Sequence, residues 1–198
     1  MNNLSTAVSS DADRESSLFG MWVFLVSDAV IFALLFALYA TMLHATFDGP
    51  VAKQLFDVKS SLGETLILLV SSFTFGMASL NLKYRPEQPR YLLTWLVITL
   101  LLGMAFVTWE LHDFMHMASQ GAVPQRSGFL SAFFALVATH GLHVSAGCLW
   151  LVLMLVQVLV FGLDGPVRTR LMCLALFWHF LDVIWVAIYT VVYLQGLT

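Results

Sequence analysis

The sequence predicts an all-α polytopic membrane protein, a bundle of five transmembrane helices, and three observations carry that prediction. Charge is scarce: 11% of the residues are charged and 60% are hydrophobic, where a soluble domain carries about 25% charged residues. The apolar residues come in five blocks, each long enough for a bilayer core of roughly 30 Å, which takes about 20 helical residues. Between the blocks lie short polar links rich in Gly and Pro, which is turn chemistry. A chain in hydrocarbon must satisfy its backbone polar groups internally, so blocks of this kind are helices and not open strands.

Taken in order, residues 1–17 (MNNLSTAVSSDADRESS) are polar and rich in Ser and acids. They lack the basic n-region and cleavage site of a signal peptide and predict a flexible cytoplasmic tail. The five-helix transmembrane domain occupies 18–198, with spans at about 18–43, 62–82, 91–114, 128–161 and 171–194. The fourth block contains no Asp, Glu, Lys or Arg and no internal turn signal. At 1.5 Å per residue it makes about 50 Å of helix, so it predicts one long tilted helix.

Loop cations set the orientation. Arg14, Lys83, Arg85, Arg90, Arg168 and Arg170 fall on the N-terminal side, against Lys53, Lys59 and Arg126 on the other. That bias predicts a cytoplasmic N-terminus and an outside C-terminus. Cys148 and Cys173 lie far apart in apolar blocks with no CxxC; they read as small buried hydrophobes. A net charge of −3 with no basic stripe excludes a nucleic-acid partner.

Charge at the bilayer centre costs about 2.5–3.5 kcal/mol on insertion scales, so the intramembrane ionisable residues are the informative ones. They are Asp28, Glu64, Glu110, His140, His143, His179 and Asp182. His140 and His143 stand at i and i+3 and share a helix face; His179 and Asp182 repeat that spacing. A transmembrane b-haem needs matched His residues on facing helices, and zinc or non-haem iron needs three or four gathered ligands. The sequence supplies neither pattern. Interhelical hydrogen bonding is the favoured reading, with Asp182, Thr139 or Ser145 as partners.

Glu64 opens the apolar stretch GETLILLVSSFTFGMAS with no basic residue near it. It reads either as a protonatable carboxyl facing lipid or a proton path, or as a first-turn acid stabilised by the helix dipole. Glu110, in WELHDFMH, is expected in a wet interfacial cluster with His112, Asp113 and His116. Asp28, in LVSDAVIF, is expected to pair within the bundle. Gly141/Ser145 and Ser72/Gly76 are small-xxx-small pairs that predict close helix approach. Trp22, Trp95, Trp109 and Trp150 read as interfacial anchors or as packing aromatics.

Four stretches resemble one family. RSGFLSAFFALVATHGLHVSAGCLW (126–150) and LFWHFLDVIWVAIYTVVYL (176–194) are similar to signatures of subunit III of the haem–copper terminal oxidases. GMWVFLVSDAVIFALLFALYA and ETLILLVSSFTFGMA match the same family in order and spacing. The similarity is to the shorter form found in bo-type ubiquinol oxidases, which lacks the first two of the family's seven helices. The resemblance implies an accessory, non-redox subunit of a proton-translocating quinol:O2 oxidoreductase of the aerobic respiratory chain, in a bacterial inner membrane. It implies that subunit I holds haem b, haem o and copper and oxidises ubiquinol. It also implies contacts with subunit I, subunit II and a small subunit IV, and bound phospholipid between helix groups. No catalytic, cofactor-binding or metal-ligating role is implied for this chain's own residues. Subunit III of a cytochrome c oxidase is the alternative. The missing inverted repeat and missing facing His pairs argue against a transporter or a membrane b-cytochrome.

Overall fold

The computed structural model describes residues 2–43, 45, 58–84 and 89–194, with side chains described from Arg14 and, in the second helix, from Ser60. Among these residues the chain forms five long helices: α1 Asn2–Met42, α2 Val58–Tyr84, α3 Pro89–Ser119, α4 Gly128–Phe161 and α5 Gly165–Ile188. A 3₁₀ turn at Pro124–Arg126 precedes α4, and a π-helical turn at Tyr189–Leu194 extends α5. All five are long and apolar enough to cross a membrane.

The ends of α4 follow from local chemistry. The Ser127 hydroxyl accepts from the Leu130 N–H at 3.1 Å, an N-cap, and Gly162 stops the helix at φ +72°. Both bounds agree with the sequence reading. Elsewhere the helices outrun it. Helix α1 runs unbroken from Asn2 through residues 2–17 into the first span. No Gly or Pro stands before Gly20 to stop it. Likewise α2 begins at Val58 and α5 at Gly165, where Pro166 sits in the first turn, as proline tolerates.

Around the bundle the helices touch in the order α1, α4, α3, α2, α5 and back to α1, with α4 and α5 also in contact across the middle. The core between them is aromatic and branched: Phe32, Leu96, Phe106, Phe133, Leu136, Leu174, Trp185 and Ile188 are all fully buried. Lipid tails are as apolar as these side chains, so packing and hydrogen bonds hold the helices together rather than a hydrophobic drive. Trp178 of α5 illustrates the packing. Its ring fills the space above two glycines, such that a Cβ on Gly103 of α3 would come 2.7 Å from the ring, and one on Gly147 of α4 3.2 Å. Its indole N–H donates to the Ser71 hydroxyl of α2 at 3.1 Å. One side chain thereby contacts three other helices.

Of the two predicted small-residue pairs, only one marks a close approach. Gly141 lies against the Glu110 side chain of α3, whereas Gly76 faces open space.

Candidate functional site

The structure sorts the intramembrane ionisable residues into separate clusters. Asp28 of α1 meets His143 of α4, with Oδ1 and Nε2 at 3.1 Å, and only 4% of Asp28 is exposed. His143 Nδ1 lies 2.7 Å from the Thr139 carbonyl, an acceptor, so this nitrogen carries a proton and donates. Phe32 borders the pair, its ring 5.3 Å from that of His143.

A second cluster joins α2 and α5. The Ser72 hydroxyl lies 2.6 Å from His179 Nδ1 and also bonds the Asp182 carboxyl. A single hydroxyl can donate once, so the consistent arrangement has His179 N–H donating to Ser72 and Ser72 O–H donating to Asp182. The i, i+3 spacing that puts His179 and Asp182 on one face is what lets one serine serve both.

His140 does not join its helix neighbour. Its Nε2–H donates to the Leu181 carbonyl of α5 at 3.1 Å. Its ring sits edge-on to Phe106 at 5.7 Å and tilted against Trp185 at 5.0 Å. The two histidines of the THGLH stretch thus tie α4 to two different helices, His140 to α5 and His143 to α1.

The third cluster differs most from the sequence expectation. Glu64 faces neither lipid nor the first helical turn: it is 2% exposed and sits in the second turn of α2, because that helix starts at Val58. Glu110 leaves the wet cluster in which it was expected. It is 5% exposed and turns inward against Gly141, while His112 and His116 point outward. Helical geometry explains the split: two residues further on, the chain has turned about 200° (3.6 residues per turn). Asp113 stays at the surface edge, where Ser60 O–H donates to it at 2.8 Å and Trp109 N–H donates to Ser60 at 2.8 Å. The π-helical turn brings Tyr193 into the same region, where its hydroxyl bonds Ser61.

Among the described residues, no three His, Cys, Asp or Glu side chains gather as a group that could hold a metal ion. Cys148 and Cys173 are buried and free. Trp22 and Trp109 are exposed, while Trp150 packs on Phe177 at 6.0 Å and Trp95 against the core.

A cavity of about 1170 Å3 opens at the end of the bundle where α1 enters and α5 begins. Arg14, Lys83, Arg168 and Arg170 surround it beside Met21, Phe24, Leu82 and Trp150. Among the described residues no carboxylate pairs with any of these cations; Arg168 instead donates to the Leu163 carbonyl and Arg170 to Gln157. In the sequence these residues signalled orientation only. Their convergence on one cavity depends on α1 passing the end of α2 and the start of α5, which no local pattern reports. The hub residues Trp178 and Trp185 were missed for a similar reason, since a buried Trp in an apolar block looks like its neighbours.

The fold and these clusters define an integral membrane bundle whose buried polar groups bond helix to helix. Comparison with known proteins specifies the class. Residues 9–197 match the family described as cytochrome c oxidase subunit III. A relative from Pseudomonas aeruginosa, cytochrome bo(3) ubiquinol oxidase subunit 3, is 47% identical over 181 residues, 91% of this chain and 86% of that one. Its namesake from Pseudomonas putida is 45% identical over 92% and 87% of the two chains. A probable quinol oxidase subunit 3 from Staphylococcus epidermidis is 38% identical over 99% and 97%. The chain belongs to the cytochrome c oxidase subunit III family.

Proposed function

We propose that this chain is the accessory, non-redox subunit III of a proton-translocating bo-type ubiquinol oxidase. The observation that carries the reading is the similarity, over nearly the whole chain, to relatives named as quinol oxidase subunit 3. The redox chemistry belongs to a haem- and copper-bearing subunit I, with subunit II and a small subunit IV completing the complex. This chain covers a flank of subunit I, stabilises it and supports its proton supply. The apolar outer face of α1, with Phe19, Trp22, Val26, Val30 and Leu34 exposed, suits either lipid or a membrane partner.

The four-cation cavity supports a lipid role. Its polar rim fits the phosphate of an anionic phospholipid, and its apolar wall of Met21, Phe24, Leu82 and Trp150 fits an acyl chain. The excess of loop Lys and Arg on the same side supports a cytoplasmic N-terminus and a periplasmic C-terminus in a bacterial inner membrane.

A cleavable affinity tag on Thr198 tests partner and orientation together. The tag is expected to recover a haem- and copper-containing, quinol-oxidising complex, and to be cut by protease added outside intact spheroplasts. Recovery of the chain without a haem protein would refute the assignment, and protection of the tag would invert the topology.

A further inference from the structure

In hydrocarbon, a polar atom on the outside of a bundle is satisfied only by its own chain or by a neighbouring protein. Most such atoms here are satisfied from within. The exposed hydroxyls of Ser27, Thr108 and Thr190 each donate to a carbonyl one turn back on their own helix. His143, part-exposed between α1 and α4, engages both ring nitrogens, one with the Thr139 carbonyl and one with Asp28. His179 differs. It is also part-exposed, and its Nδ1 meets Ser72 at 2.6 Å, but its Nε2 bonds nothing among the described residues. With the Nδ1–H donating to Ser72, Nε2 of the neutral ring is a free acceptor.

This acceptor lies at mid-span. At 1.5 Å per residue, Ser72 is about 20 Å from either end of α2, and His179 is about 20 Å along α5 from Gly165. That depth belongs to the acyl chains of a core roughly 30 Å thick. Around it the seam between α2 and α5 is apolar and open, with Leu69, Phe73, Val183 and Val186 exposed. One turn along α2 from Ser72, a Cβ on Gly76 would meet nothing within 4 Å, so the helix backbone is bare there. The exposed residues Val26, Val30 and Leu34 of α1, and Leu142, Leu149 and Leu153 of α4, are by contrast apolar and suit acyl chains. An acyl chain has no donor to offer Nε2, whereas a helix carrying Ser, Thr, Asn or Trp has one. Small residues let helix backbones come close enough for such a bond. We propose that the α2–α5 seam is the face by which this chain holds a neighbouring subunit, an apolar transmembrane helix that crosses at Gly76 and donates one hydrogen bond to His179 Nε2. The proposal rests on the reading of the chain as an oxidase subunit and names the contact that reading requires.

Co-purification through a tag on Thr198 tests the face in the whole complex. Gly76→Leu adds a side chain where this chain leaves room, and leucine is the better helix former, so the subunit itself is expected to fold. It is expected to bring down about tenfold less haem protein than the unmodified chain, the effect of overfilling a packed contact. Gly20→Leu, equally open but on α1, is expected to change nothing. Full recovery with Gly76→Leu, or a loss confined to Gly20→Leu, overturns the face and leaves the subunit reading standing. An unmodified chain that brings down no haem protein overturns that reading, and the face with it. The hydrogen bond has its own test, because an asparagine amide reaches the place of Nδ1 and a glutamine amide that of Nε2. His179→Asn, which keeps the inner bond to Ser72, is expected to lose about threefold in recovery, and His179→Gln almost nothing. Equal recovery of the two, or the reverse order, overturns the bond. Should the Gly76→Leu chain fail to insert, a photo-crosslinking benzoylphenylalanine at the exposed Phe73 answers independently. It is expected to join this chain to a different subunit; adducts with lipid alone, or with a second copy of this chain, overturn the proposal.

Discussion

The His143→Ala subunit is expected to lose about 3–5 kcal/mol of stability, the cost of removing one partner of a buried pair. Asp28 is 4% exposed and His143 lies 3.1 Å from its Oδ1. The other oxygen, Oδ2, is buried with no partner, so His143 alone compensates this carboxyl among the described residues. Phe32 borders the pair, its ring 5.3 Å from that of His143. The effect should disappear when both partners go. Asp28→Leu/His143→Leu replaces two costly groups by apolar ones of suitable size, which in buried pairs is close to neutral or stabilising. The measurement is the fraction of purified enzyme that retains this chain after graded heating in detergent. A double variant as weak as the single one would show that the residues act separately.

Trp185→Ala is expected to cost about 3 kcal/mol. The ring is fully buried, sits edge-to-face on Phe106 at 4.7 Å, and donates to the Thr65 hydroxyl at 3.1 Å. In a soluble core the loss would combine a transfer and a cavity contribution. Within a bilayer the transfer contribution falls away, since the unfolded reference is also in hydrocarbon, and lost contacts and the cavity remain. Trp185→Phe keeps most of the ring and loses the hydrogen bond, so its cost should be clearly smaller. Trp22→Ala, on an exposed ring, should stay within about 0.5 kcal/mol. Thermal retention in the complex ranks the three variants. Equal losses for Trp185→Ala and Trp22→Ala would contradict the packing described for α5.

Five helices were legible because lipid leaves the chain no alternative, and α4 was legible to the residue because Ser127 and Gly162 supply explicit stop chemistry. The start of α1 was not, since residues 2–17 are polar yet contain nothing that ends a helix. Polarity reports where the membrane stops, not where the helix does. For the candidate site, the sequence identified the right residue types but not their partners. His140 and His143 share a face, yet neighbouring helices meet that face at two angles, and each histidine finds a different one. The apolar block begins at about 62, whereas the helix begins at Val58, so Glu64 lies in the second turn and not the first. Trp178 between Gly103 and Gly147 could not be foreseen, because three glycine-or-tryptophan positions on three helices form no pattern along the chain.

The central claim is that this chain supports an oxidase without carrying its redox groups. Depleting it from the purified complex tests that claim most directly, with the haem difference spectrum, haem and copper content, and quinol oxidation followed through sustained turnover. The depleted complex is expected to keep its spectrum, metal content and initial quinol oxidation, and to lose activity faster than the intact complex. Haem or copper leaving with the separated chain, or a spectrum that changes on its removal, would contradict the central claim.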